Sequence, residues 1–328
     1  MDTSSRASGP QPPSPNLSTT QSSLSHGSSL TSHDLEKSAV SQPQASSRFA
    51  ALNPKTWTRK QRIFALVGLV ILSMALIPAI VVPVVTQQAK HKVANDTALR
   101  IMPLGASITY GFLSTDGNGY REDLLDLLER GGNTQISYVG SRNNGTMDEN
   151  AVEGWPGYRI DQVMAKAAAA VPRYLPNVIL LNVGTNDCVQ NWNMDNTTQK
   201  STVEPSLTTN STFDVGDRMR ILVNDLLEWS PNTTVIMSTL ILNKQDAVNT
   251  RVNDANAQFR DVAAALKADG KRVVLADMTT AAGGPNITTM ADVTHPNDVG
   301  YALMANRWYV ALQEAGQQGL LMAPDPTS

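Results

Sequence analysis

The sequence predicts an α/β domain with a five-stranded parallel sheet and helices on both faces. One transmembrane helix and a disordered N-terminal tail are expected to precede it. Three observations carry this reading. Short apolar runs alternate with helical stripes between residues 98 and 315, and such alternation folds as parallel strands joined by crossover helices. The run Ile63–Val85 contains no charged residue. The first 58 residues are rich in Ser, Pro, Gln and Thr and poor in large apolar side chains.

Residues 1–58 hold too little apolar surface to offset the entropy of ordering them, so they read as a disordered tail on the cytosolic side. As a helix rising about 1.5 Å per residue, Ile63–Val85 covers about 34 Å, enough to cross a bilayer core. A membrane span over 63–86 is expected, with Pro78 and Pro83 kinking its far end. A buried soluble helix would keep a polar face, and a cleaved signal peptide would not follow so long a tail. Arg48, Lys55, Arg59, Lys60 and Arg62 precede the span, against Lys90, Lys92 and Arg100 after it. That bias places the N-terminus in the cytosol. The sequons at Asn95, Asn144, Asn196, Asn210, Asn232 and Asn286 lie beyond the span, although Asn16 forms one before it. A single-pass type II membrane protein is expected, its large domain lumenal or extracellular. Residues 87–97 read as a linker and 316–328 as a C-terminal tail.

The domain over 98–315 begins with a short apolar strand, Ala98–Leu104, followed by the helical stripe Tyr120, Leu124, Leu125 and Leu128. Ile136–Val139 is the second strand. Ile160, Val163, Met164, Ala167 and Val171 share a helix face. Val178–Val183 is nearly all apolar, as befits a central strand covered on both sides. Met219, Leu222, Val223, Leu226 and Leu227 mark the next helix, and Thr234–Leu242 the fourth strand. Val248, Val252, Ala255, Phe259, Val262 and Leu266 keep helical spacing. Val273–Ala276 is the fifth strand, and a final helix covers 298–315. No internal repeat is present.

The chain has 328 residues and a net charge of −3, with no basic surplus to favour nucleic acid. Its single cysteine, Cys188, forbids an intramolecular disulfide. The histidines are His26, His33, His91 and His295, so the domain lacks a usual zinc-hydrolase ligand set. No metal or cofactor is expected, and the domain over 98–315 reads as a monomer.

Four polar or Gly-rich turns follow the predicted strands. The first is Gly105-Ala-Ser-Ile-Thr-Tyr-Gly111, the second Glu153-Gly-Trp-Pro-Gly-Tyr-Arg-Ile-Asp161. Gly184-Thr-Asn-Asp187 and Asp292-Val-Thr-His-Pro296 complete the set. In a parallel sheet they meet in one crevice at the carboxyl ends of the strands. Thr109 stands where a nucleophile elbow has its second glycine, and alone Ser107 reads as a helix N-cap. With the other turns, acyl transfer becomes the better reading. A serine hydroxyl needs a base to take its proton, and His295 is the only credible one. Asp292 can fold back on the same loop to hold the other ring nitrogen. The Ser107 N–H, a Gly N–H of the second turn and the Asn186 amide are candidate donors to an oxyanion.

This set of motifs resembles the SGNH (GDSL-type) hydrolases, in the style of the fungal branch like carbohydrate esterase family 3, which includes acetylxylan esterases. The likeness covers nearly all of 98–315, with every block in order. It implies a three-layer, flavodoxin-like fold, with Ser107 as nucleophile, His295 as base and Asp292 as its orienter. It also implies oxyanion donors from Ser107, Gly157 and Asn186, with Gly154 the second candidate for the glycine. Ala106 departs from the family's name motif, which has Asp there. Residues 188–216 read as an inserted polar loop.

Other residues carry plainer readings. Asp187 holds its turn through bonds to backbone, and Cys188 is a small packed side chain. Trp155 and Tyr158 either stack on sugar rings or pack in the core; Trp192 is a weaker case of the same choice. Asn256 reads as an exposed helix residue rather than one bonding across the crevice. The expected function is a serine esterase removing small acyl groups, chiefly O-acetyl, from a polysaccharide or another small ester. A lipid or lysophospholipid ester hydrolase, or an inactive glycan-binding relative, is the alternative.

Overall fold

The computed structural model describes Thr58 and residues 92–94, 96–194 and 213–326. The expected tail, the membrane span over 63–86, and the sequons at Asn16, Asn95, Asn196 and Asn210 lie outside the described residues. Among the described residues, no helix is long and apolar enough to cross a membrane.

The strands are β1 (Leu99–Gly105), β2 (Ile136–Tyr138), β3 (Arg142–Asn143), β4 (Ala151–Gly154), β5 (Val178–Asn182), β6 (Thr234–Ser238) and β7 (Val273–Ala276). The helices are α1 (Ser107–Tyr110), α2 (Arg121–Arg130), α3 (Ile160–Tyr174), α4 (Thr185–Gln190), α5 (Val215–Trp229), α6 (Asp246–Ala268) and α7 (Asp298–Gln317). The sheet runs β3-β4-β1-β5-β6-β7, with β2 also beside β1.

The expected five-stranded parallel sheet is therefore corrected to a mixed sheet of seven strands. β1 pairs in parallel with β2 over Leu99–Ile101 and with β4 over Leu104–Gly105. The two short strands share one place in the sheet, one after the other. Between them the chain leaves to form β3, which returns antiparallel against β4. The remaining pairs, β1 with β5, β5 with β6 and β6 with β7, are parallel.

Side chains alternate across the sheet because each strand residue points opposite to the last. Met102, Leu104, Ile179, Leu181, Val235 and Met237 face the core under α3, α5 and α6. Leu99, Ile101, Val178, Leu180, Ile236 and Val274 face the core under α2 and α7. Burial of both faces explains why the central runs are apolar throughout. Strand β6 ends at Ser238, short of the expected Leu242. There the side chain of Asn256 replaces a strand partner. Its Oδ1 accepts from the Leu240 N–H at 2.7 Å and its Nδ2 donates to the Leu240 carbonyl at 3.0 Å. Asn256 is buried, not exposed as the helical pattern suggested.

Arg121 is fully buried at the start of α2 and organises irregular backbone. Its guanidinium donates to the carbonyls of Tyr110, Gly117, Asn144 and Asn150. Asn144 joins it, donating through Nδ2 to the carbonyls of Tyr110 at 2.7 Å and Gly117 at 2.8 Å. Both hydrogens of that amide are thus engaged.

Candidate active site

Chain direction places the site at the switch point of the sheet, where β1 has β4 on one side and β5 on the other. Gly105 closes β1 opposite Gly154 and Asn182. A Cβ there would lie 2.1 Å from the Asn182 carbonyl oxygen and 2.3 Å from Thr109 Oγ1, so only glycine fits. Two residues later Ser107 opens the one-turn helix α1, which Gly111 ends with a φ of 88°. Ser107 is half-buried.

His295 and Asp292 arrive on the loop before α7. Asp292 Oδ1 accepts the backbone N–H of Thr294 at 2.7 Å and of His295 at 2.6 Å, which winds the loop tightly. Its Oδ2 lies 2.9 Å from His295 Nδ1, and His295 Nε2 lies 2.9 Å from Ser107 Oγ. An ionised carboxylate only accepts, so Nδ1 carries the proton and Nε2 presents its lone pair to the serine O–H. Partial burial pushes the Asp292 carboxyl up, but hydrogen bonds from the His295 side chain and from the two backbone N–H groups outweigh it. They hold the group below the usual carboxylate range.

Residues from the loop after β6 brace this turn, and no motif or periodicity marks them. The Lys244 N–H donates to the Val293 carbonyl at 2.8 Å, and its Nζ to the Met290 carbonyl at 3.2 Å. Asn243 Nδ2 donates to Thr294 Oγ1 at 3.0 Å. Only tertiary contact places them there.

Asn186 is the second residue of α4. Its Nδ2 donates to the Tyr158 carbonyl at 2.9 Å, tying α4 to the second turn. That bond uses one of the two amide hydrogens and orients the other. In the second turn, Gly154 packs directly on α1, since a Cβ there would lie 2.7 Å from the Tyr110 nitrogen. Gly157, with a φ of 85°, occupies an exposed bend where a Cβ would meet nothing within 4 Å. Arg142 clamps this turn. Its Nη1 donates to the Gly154 carbonyl at 2.6 Å, and its guanidinium lies 4.5 Å from the Tyr110 ring centre and 4.8 Å from that of Trp155.

The aromatic residues of the second turn are taken up by protein. Trp155 stacks on Tyr158 at 5.6 Å, carries Lys166 over its ring at 4.4 Å and donates through its indole N–H to Glu153. Trp192 lies under the Arg159 guanidinium at 4.2 Å. Asp187 is fully buried, paired with Arg218 and accepting the Ile160 N–H at 3.1 Å, so it fastens α4 to α3 and α5. Burial pushes its carboxyl up to about 6 even though Arg218 and the Ile160 N–H pull it down. Cys188 is buried in the core with its thiol pushed up to about 12, chiefly by burial. The loop expected over 188–216 is described only at its ends. Among the described residues, no cluster of three or more His, Cys, Asp or Glu forms a metal-ligand set.

A Ser–His–Asp hydrogen-bonded chain at the switch point of an α/β sheet is an arrangement that serine hydrolases use. Residues 104–303 match the GDSL-like Lipase/Acylhydrolase family, and the chain belongs to that family. A multidomain esterase of Ruminococcus flavefaciens is 27% identical over 254 residues, covering 69% of this chain; the chain spans 29% of that relative's length. Among solved structures, a Clostridium thermocellum family 3 carbohydrate esterase aligns with a TM-score of 0.54 at 23% identity. The match covers 67% of this chain and 98% of that one. A carbohydrate esterase family 3 protein from Talaromyces cellulolyticus gives 0.52 at 20% identity, covering 67% of this chain and 99% of that one. These likenesses establish a shared fold.

Proposed function

We propose that this protein is a serine esterase that removes small acyl groups, chiefly O-acetyl, from a carbohydrate. The observation that carries the reading is the relay Ser107–His295–Asp292, with both links at 2.9 Å. Family membership and the carbohydrate-esterase folds beside it support the substrate class. Ser107 Oγ attacks the ester carbonyl while His295 Nε2 takes its proton, and Asp292 stabilises the imidazolium that forms. The oxyanion receives N–H groups from Ser107, Asn186 and a glycine of the second turn, Gly157 or Gly154. Of the two, Gly154 is the one packed on α1. His295 then returns the proton to the departing alcohol oxygen. Water, activated by the same imidazole, cleaves the acyl-enzyme and frees the acid.

We further propose a type II membrane protein with this domain lumenal or extracellular, on the charge bias around Ile63–Val85 and the downstream sequons. Protease protection in intact cells tests that topology. The activity is tested with a fluorophosphonate probe, which should label the wild type and not Ser107→Ala. A panel of acetylated xylan against long-chain acyl esters then fixes the substrate. Preference for long acyl chains would replace this reading with lipid hydrolysis, and no labelling would refute it.

A further inference from the structure

The sequence offered Trp155 and Tyr158 as the rings to meet a sugar, but these two stack on one another beneath Lys166 and Arg142. Among the described residues, the exposed aromatic ring in contact with the catalytic histidine is Phe112. It is 44% exposed, and its ring centre lies 4.9 Å from that of His295, tilted by 57°. Leu113 beside it is 45% exposed and sits in the left-handed region at a φ of 66°. A leucine held in that region is strained, and such strain gathers at ligand-binding positions.

The backbone presents this pair in a fixed place. The Phe112 N–H donates to the Ser107 carbonyl at 3.0 Å, and its own carbonyl accepts the Tyr301 hydroxyl at 2.7 Å. The Thr115 N–H donates to Asp298 at 2.9 Å, tying the loop to the start of α7. Val293, on the other side of His295 in the sequence of the catalytic loop, is also exposed. The catalytic imidazole is therefore edged by apolar surface that is exposed among the described residues.

We infer that Phe112, with Leu113, forms the wall that receives the alcohol part of the ester and selects a ring-shaped one. The side follows from the proton's path. His295 must reach the departing oxygen to protonate it, so the alcohol lies on the His295 side of Ser107 and the oxyanion lies toward Asn186. Phe112 touches His295, so its open face borders the alcohol. A flat ring face suits the C–H face of a pyranose. In this form the inference rests on the carbohydrate reading above and names the surface that would hold the sugar.

The test uses esters differing on one side only: methyl acetate, cyclohexyl acetate and methyl butyrate, together with 2-O-acetyl methyl β-xyloside. In Phe112→Ala, the ratio of kcat/KM for cyclohexyl over methyl acetate should fall about 3- to 10-fold, as expected for loss of one aromatic contact. The loss should lie in KM, the xyloside should follow it, and Phe112→Tyr should restore both. The ratio of butyrate to acetate should not move. An unchanged cyclohexyl ratio, or a fall in the butyrate ratio instead, would overturn the assignment. A wild type active on cyclohexyl acetate but silent on the xyloside would refute the carbohydrate reading alone, because the cyclohexyl arm still decides the role of Phe112.

Discussion

Replacing Arg218 with methionine should unfold the domain at a markedly lower temperature, and the penalty should depend on pH. Arg218 is 1% exposed and its partner Asp187 is fully buried. The guanidinium also donates to the carbonyls of Trp192 at 2.8 Å and Asn193 at 3.2 Å. Removing it leaves a carboxylate in the interior with only the Ile160 N–H, and breaking such a pair costs about 3–5 kcal/mol. At about 2–4 °C per kcal/mol for a domain of this size, the melting temperature should drop by about 6–20 °C. Burial already pushes the Asp187 carboxyl up to about 6 with Arg218 in place. Without the cation it rises further above its unfolded value near 3.9. The folded state of the variant then binds the proton more tightly than the unfolded state, so its stability falls as pH rises. Circular dichroism melts at pH 5 and pH 8 should show the larger deficit at pH 8. Adding Asp187→Asn should recover part of the loss by removing the orphaned charge. Equal melting temperatures for wild type and variant, or a deficit that ignores pH, would refute the argument.

Asn186→Ala should lower kcat about 10²–10³-fold on a small acetyl ester with little change in KM, because its free amide hydrogen binds tightest once the oxyanion forms; a change confined to KM would remove it from that role. Ser107→Ala and His295→Ala should each abolish nearly all turnover, and single-turnover assays of the double variant should show little further loss, since the two act as a unit. Asp292 is held below the usual carboxylate range, so its contribution to stability is full above its unfolded pKa and disappears as pH falls through the lower folded value. The melting-temperature gap between wild type and Asp292→Asn should therefore narrow in acid, and a gap that widens would contradict the hydrogen-bond account. In protein from a secretory host, Asn286→Gln should remove a glycan detectable by mass whereas Asn144→Gln should not, because Asn286 lies in an exposed Asx turn bonded to Thr288 and the Asn144 amide is fully engaged.

The central strands were legible because burial on both faces leaves runs such as Val178–Asn182 with hardly a polar residue. The pair β3 and β4 was not. Arg142–Asn143 and Ala151–Gly154 have no apolar alternation, and their pairing depends on non-local bonds, such as Glu153 accepting from Ser141 at 2.7 Å. Of the site, Ser107, Asp292 and His295 could be read because two lie three residues apart on one loop and the third sits between glycines. The geometry brings those three together and sets Asn186 on the second turn. Phe112 left a fainter trace, an apolar pair following Gly111 in an otherwise polar loop. Lys244 and Asn243 left none, because their partners lie on other elements and nothing in the local pattern marks them, and Asn256 was read as exposed because its Leu240 partner lies beyond its own helix.

The buried guanidinium of Arg121 has a further consequence for motion. Its bonds reach carbonyls in the serine's own helix, in the loop after it and in both flanks of the excursion between β2 and β4. These irregular stretches share Arg121 as an anchor, with Asn144 bonded to two of the same carbonyls. They should open and close as a single cooperative unit. In amide hydrogen exchange, the segments near Gly117 and Asn150 should show one common opening free energy, although more than thirty residues of chain separate them. The loop that follows Ser107 is thus held at Gly117 by this internal cation and at Phe112 and Thr115 by Tyr301 and Asp298.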